Sequence, residues 1–440
     1  MNSNEIKRRT LLHATAATGL ASILPGAAYG ASVDWRRYAG QSIEVLLVKN
    51  PRGELLQKYQ KEFEALTGIT VGSEQVPEQQ QRQKYVIEFN SGKPTFDVLQ
   101  WTFNIHKRLF EKTKWLHDLR PQLKNVATDF DQADITQIGM SYATQADGRV
   151  DSVPLNLDPW ILYYNKELFA AKGIAPVDSF AGIAEAAKKI HDPSKGVIGA
   201  VGRGLKNANV PLWALFFMGY GGKFQDASGK LLTDSPEAIT AANFYRDLLK
   251  NTGPAGVSGF NWNESQSLFM QGKAGIWIDG SGFARPLEDV TKSKIAGNVG
   301  YVRIPRGPKA NASSTFCDGV GIAGTSDKKE AAFLYLMWAS GKSFQSRIFP
   351  SGAGTPVRLS SFKEKLAMQE AKVPLEWLSA VGSALQSGVA PLPVIQPVSE
   401  FRDAFGIALV NILNGSDSAN ELRKTTSEFQ KVLTKSEEKA

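Results

Sequence analysis

Between Ser42 and Trp101 the chain switches back and forth between strand and helix periodicity, and this alternation limits the fold more than any other feature. Ser42–Val48 (SIEVLLV) is a short apolar run of strand length. Gly53–Leu66 follows with Leu55, Tyr59, Phe63 and Leu66 at helical spacing, and Gly68 stands just past its end. Ile69–Val76 returns to strand, and Gln79–Asn90 to helix, stopped by Gly92 and Pro94. Phe96–Trp101 (FDVLQW) is a third strand. Such an order lays strands side by side with helices over their faces, which predicts an α/β layer with a mostly parallel sheet.

A second α/β block begins near Trp160. Ser179–Ile190 reads as a helix. Ser235-Pro236-Glu237 is a strong helix start, with Ser as cap, Pro in the first turn and Glu near the positive end of the dipole. Ala274–Asp279 (AGIWID) is a buried strand. Ser326 or Asp327 caps a helix carrying Phe333, Leu334 and Met337. A last helix runs from about Ser418 with Leu422, Phe429 and Leu433 in step. At 440 residues the chain exceeds one compact core and suits two or three domains. Its 42% hydrophobic and 21% charged residues exclude a disordered or fibrous chain.

The formal charge of +8 is dispersed, with no basic run after the first ten residues. A solvated surface is favoured over nucleic-acid binding. The single cysteine, Cys317, cannot close an internal disulfide. Residues 1–30 have the layout of a signal peptide: Lys7-Arg8-Arg9-Thr10, an Ala/Thr-rich apolar stretch to Leu24, then Pro25 and the exit Ala28-Tyr29-Gly30. The paired arginines resemble a twin-arginine signal, with cleavage expected after Gly30 and delivery to the periplasm. No later segment approaches the length of a membrane span.

Motifs for chemistry fail on their context. Gly319–Gly324 spells G-x-G-x-x-G, but the glycines fall inside a strand rather than at its exit to a helix. Gly341-Lys342-Ser343 ends like a P-loop, yet Leu336 stands where the other glycine belongs. His106, His117 and His191 share no metal-ligand spacing, and Asp129, Asp131 and Asp134 lack the Gly and Glu of a calcium loop. Tyr163 and Tyr164 adjoin in a strand, so their side chains point to opposite faces and a paired ferric site is disfavoured. No cofactor or metal is expected. A glycosidase needs only two carboxylates brought together in space, which a sequence does not exclude.

Several stretches in order resemble the extracellular solute-binding protein family that includes maltose-binding protein. They are Val153-Pro154 with Ile161–Phe169 (ILYYNKELF); Gly221-Gly222 with the turn Asp226–Lys230; Phe269–Ile276 (FMQGKAGI) leading to Asp279-Gly280-Ser281; and Ile304–Pro308 (IPRGP). The match runs from about residue 42 to the C-terminus. It implies a two-lobed periplasmic binding protein fold of type II, with mixed or parallel sheets flanked by helices and joined by hinge strands. Lobe one takes 34–155 and 316–357; lobe two takes 156–315 and 358–440. It further implies a receptor without enzymatic activity. That receptor closes on a sugar or polyol and delivers it, as a monomer, to the membrane permease and cytoplasmic ATPase of an ABC importer. Two alternatives stay open: a receptor for an anionic or phosphorylated polyol held by Arg203, Lys206 or Arg358, and a secreted carbohydrate-active enzyme.

Sugars present apolar C–H faces and rings of hydroxyls, so aromatic platforms and groups that both donate and accept are expected in the site. Trp101, at the end of its strand, and Asn104 match sugar-contacting positions of the maltose-binding relatives, and Asp158 matches an acidic hinge contact. Trp160 lies two residues on, past Pro159. Trp213 and Trp262 precede or begin helices at the expected cleft. Asp279, Ser281 and Phe283 follow a buried strand. Asp318 lies where the chain re-enters lobe one, and Lys49 and Asn50 end the first strand. Trp115, Trp277, Trp338 and Trp377 read as core.

Overall fold

The computed structural model describes residues 32–351, 353–362 and 373–438. The signal segment 1–30 lies outside the described residues. The first block folds as its periodicity predicts. Strand β1 (Ser42–Val48) leads to helix α1 (Pro51–Thr67), β2 (Thr70–Val76), α2 (Glu78–Asn90), β3 (Val98–Thr102) and α3 (Phe103–Thr113). Asn50 starts α1 by accepting the backbone N–H groups of Arg52 and Gly53 at 3.1 and 2.9 Å. Gly68 ends it with φ 74°, a left-handed turn that glycine adopts without strain. β1 lies between β2 and β3, parallel to both.

The first block is parallel as expected, and the strands that join the lobes pair antiparallel, so the sheet as a whole is mixed. β8 (Ser313–Ile322) pairs antiparallel with both β3 and β4 (Val153–Asn165). The reason is topological: these two long strands carry the chain between the lobes in opposite directions. β4 is 13 residues long, about 43 Å at the usual rise. Its Val153–Pro159 half pairs with β8. Its Trp160–Asn165 half pairs with β6 (Ala274–Gly280) and β7 (Val299–Arg303), and β6 also carries β5 (Ile198–Val201) in parallel. Gly319 shows why a glycine sits inside β8, because a Cβ there would lie 2.1 Å from the Phe103 ring.

Two bodies of packed side chains flank this crossing. One joins β1–β3, the first half of β4 and the helix Lys329–Ser340, with Phe63, Leu99 and Leu336 among its buried members. The other is built on both faces of the β4–β6 sheet. Leu162 and Tyr164 pack with Trp213 and Phe405 on one face; Ile161 and Tyr163 pack with Trp277 and Trp377 on the other. The paired tyrosines therefore serve opposite halves of a core. Cys317 is buried and unpaired. Along β4 every residue is buried except Asp158, which is partly buried. That one opening marks where the strand crosses between the two bodies. Among the described residues no helix is long and apolar enough to cross a membrane.

Candidate functional site

Around Asp158 the two bodies leave a cavity of about 360 Å³, within the usual range for small-molecule sites. Grooves of about 830 and 810 Å³ flank the C-terminal helix, but they are open depressions without an aromatic side chain in their walls.

The aromatic walls come from three places. Trp160 begins the second half of β4; it is only 1% exposed because the Arg203 guanidinium lies over its ring, 4.8 Å from the centroid. Phe316 of β8 stands 6.2 Å away at 33°. Trp262, first residue of the helix Trp262–Met270, stacks on Phe283 at 5.0 Å and 18°. Glu264 fixes that helix start by accepting the Asn261 backbone N–H at 2.9 Å.

The acidic side of the cavity holds Asp158 and Asp318. Asp158 Oδ1 accepts the Gly282 N–H at 3.1 Å and the Ser281 hydroxyl at 3.3 Å. Burial raises its pKa above the ordinary aspartate value, against the pull of Arg52. Asp318 accepts the Thr102 hydroxyl at 2.7 Å, and Arg52 Nε lies 2.5 Å from its other oxygen. The N–H of that ion pair is out of line, so neither atom has a directed hydrogen bond.

The basic side holds Arg82, Arg203 and Arg402. Arg203 grips Asp279 through two nitrogens at 2.9 and 2.5 Å. Arg82 pairs with Glu78 one helical turn earlier at 2.6 Å. Burial would raise the Glu78 pKa, but Arg82, Arg402 and Arg203 together pull it below the usual carboxylate range. Arg402, on the helix Val398–Leu413, is 6% exposed and donates through Nε to the Asn207 carbonyl at 3.3 Å. Among the described residues it has no carboxylate within ion-pair distance. Burial beside Arg82 and Arg203 lowers its pKa to about 9, which leaves it cationic at neutral pH.

Of the residues singled out in the sequence, Asn50, Asp158, Trp160, Trp262, Phe283 and Asp318 line this cavity. Asp279 and Ser281 are fully buried behind it, holding Arg203 and Asp158.

The others are corrected. Trp101 is core: 1% exposed, its indole N–H donating to Ser152 Oγ at 3.0 Å and its ring against Phe110 at 4.4 Å. β3 is buried on both faces, so a strand-end position does not reach the cavity there; the next residue, Thr102, does. Trp213 sits in the helix Val210–Gly219, apolar all round and therefore buried. Its N–H donates to the Ala238 carbonyl at 3.2 Å. Asn104 clamps β8, accepting from Cys317 N at 3.0 Å and donating to the Thr315 carbonyl at 3.3 Å. Lys49 is exposed outside the cavity. Of the basic residues considered for an anion, Lys206 faces solvent near Asp403, and Arg358 is buried at Phe130 and Asp131.

Arg52, Glu78, Arg82 and Arg402 escaped the sequence reading. Arg402 left one signal, a charge between Phe401 and Phe405 on an otherwise apolar helix face.

Two lobes with separate cores, strands shared between them and a mixed aromatic and charged cavity at the crossing define a two-lobed binding protein. The chain belongs to the bacterial extracellular solute-binding protein family, whose model matches residues 49–345. It is similar to a probable amino-acid ABC transporter periplasmic-binding protein of Sinorhizobium fredii, 24% identical with 90% of this chain and 91% of that one covered. It is also similar to an erythritol/L-threitol-binding protein of Mycolicibacterium smegmatis, 24% identical with 95% of each chain covered. Among solved structures, an ABC transporter solute-binding protein from Agrobacterium radiobacter in complex with ribitol superposes with a TM-score of 0.83. That pair is 25% identical, with 90% of this chain and 99% of that one covered.

Proposed function

We propose that this chain is the periplasmic receptor of an ABC importer, and that it closes on a polyol or small carbohydrate in the cavity around Asp158 without altering it. The observation that carries this reading is the composition of the walls. Flat aromatic groups (Trp262, Phe283, Phe316) suit C–H faces, and Asp158, Asp318, Asn50 and the arginines offer acceptors and donors for hydroxyls. The ligands of the erythritol/L-threitol-binding relative and of the ribitol complex support the same class.

In this reading residues 34–155 with 316–357 form lobe one, and 156–315 with 358–440 form lobe two. A ligand touching both favours the closed state by its differential affinity for it. The closed form then engages the permease and its ATPase. Residues 1–30 act as the export signal, by the twin-arginine route. The absence of turnover is supported by the occupation of the carboxylates. Asp318 and Glu78 are ion-paired with Arg52 and Arg82, so of the carboxylates lining this cavity only Asp158 is without an ion pair among the described residues.

The reading is tested by thermal unfolding against ribitol, erythritol, mannitol, maltose, amino acids and sn-glycerol 3-phosphate. A ligand at a thousand times its Kd adds about 4 kcal/mol of stability, a shift of several degrees. Stabilisation by an alditol or sugar supports the reading. Stabilisation confined to amino acids would overturn it, as would hydrolysis of a bound glycan.

A further inference from the structure

Four arginines reach the cavity, and one of them is treated differently from the others. Arg52, Arg82 and Arg203 each face a carboxylate of the protein, on Asp318, Glu78 and Asp279 respectively. Among the described residues Arg402 has no carboxylate within ion-pair distance, although it is 6% exposed and contributes to the cavity wall. It donates through Nε to the Asn207 carbonyl at 3.3 Å. Among the described residues its forked end has no hydrogen-bond or ion-pair partner. A buried cation without a counter-charge is costly, and an arginine cannot relieve that cost by shedding its proton near neutral pH. The opposite side of the cavity differs. Among the described residues Asp158 also has no ion-pair partner, but a backbone N–H and a hydroxyl already stabilise its oxygen.

Resting on the reading of the cleft as a polyol site, we propose that the ligand is a polyhydroxy monocarboxylate, an aldonate-type sugar acid, whose carboxylate seats on Arg402. A carboxylate matches the guanidinium fork in shape, accepting two parallel N–H groups. The carboxylates of Glu78 and Asp279 are already held by Arg82 and Arg203. Arg402 is one cation, which one carboxylate matches, whereas a phosphate monoester carries about −1.5 to −2. The hydroxylated remainder then extends toward Trp160, Asp158 and Asp318.

The test uses the full mature chain and calorimetric titration with matched ligands: ribonate against ribitol, gluconate against sorbitol, and gluconamide as the uncharged isostere. The expected result is an aldonate bound at least tenfold tighter than its alditol and its amide, about 1.4 kcal/mol. Arg402→Met is expected to bring the aldonate affinity down to that of the alditol, with Arg402→Lys keeping part of the difference. If either variant fails to fold, the wild-type ratio still decides. An alditol bound as tightly as its aldonate at both chain lengths overturns the inference and leaves the polyol reading standing. A phosphorylated polyol or an amino acid bound more tightly than any aldonate overturns it as well. If none of the polyhydroxy compounds binds, this inference and the polyol reading fall together.

Discussion

The guanidinium of Arg203 lies 4.8 Å above the ring of Trp160 while its nitrogens hold Asp279 on the side away from the cavity. A charged group and an aromatic face are thereby locked into one surface. The ring is shielded, the charge is spread over it, and the carboxylate keeps the guanidinium from swinging into the space a ligand needs.

Removing that anchor costs stability as well as function. Asp279→Ala leaves Arg203 with no counter-charge at a nearly buried position. Breaking such a pair from one side costs about 3–5 kcal/mol. A urea midpoint equal to that of the parent chain would show that the pair does not hold the wall.

Trp262 and Trp101 are expected to separate binding from folding. Trp262 is half-buried on the cavity wall, stacked on Phe283. Trp262→Ala should weaken the best-binding solute by about 2 kcal/mol, roughly thirtyfold, with little change in the unfolding midpoint. Equal affinities in calorimetry remove Trp262 from the site.

Trp101→Ala should do the reverse. It opens a cavity in the first core beside Phe110 and strands the Ser152 hydroxyl, at a cost of about 3–5 kcal/mol. The molecules that remain folded should bind with unchanged affinity. A selective loss of binding at full stability would restore Trp101 as a contact.

Asp151 gives a pH signature. It is fully buried, accepts from Gln145 Nε2 at 2.6 Å, and has a second oxygen without a partner. Burial raises its pKa from 3.8 to about 6. The folded state therefore binds more protons than the unfolded one between pH 3.8 and about 6, and the stability from this group is lost as pH rises through that window. Asp151→Asn should flatten that slope and stabilise the protein at pH 7 by up to about 3 kcal/mol. Parallel stability–pH curves for the two chains would refute this.

The strand–helix alternation of the first block was legible because the period of apolar residues is a local property. The helix start at Ser235 was legible for the same reason, whereas Asn50, read as a strand end, proved to be the cap of α1. Trp101 and Trp160 were not separable, since both lie in apolar strands and only tertiary packing decides which one borders a cavity. The antiparallel joint was hidden because it pairs residues far apart in sequence, Gln100 with Val320 for instance. Arg52 and Arg82 carried no sequence signal, because only tertiary packing brings them to the same cavity as Trp160 and Arg402.

The pairing of β3 with β8 also sets a timetable for the nascent chain. Some 220 residues separate Gln100 from Val320. At a synthesis rate of 5–20 residues per second, the edge of β3 waits roughly 10–40 s for its neighbour. Throughout that interval Leu99 and Trp101 belong to an unfinished sheet, with backbone groups free to pair with another polypeptide. Until Val320 leaves the ribosome, that edge of β3 is without the strand it pairs with in the finished fold.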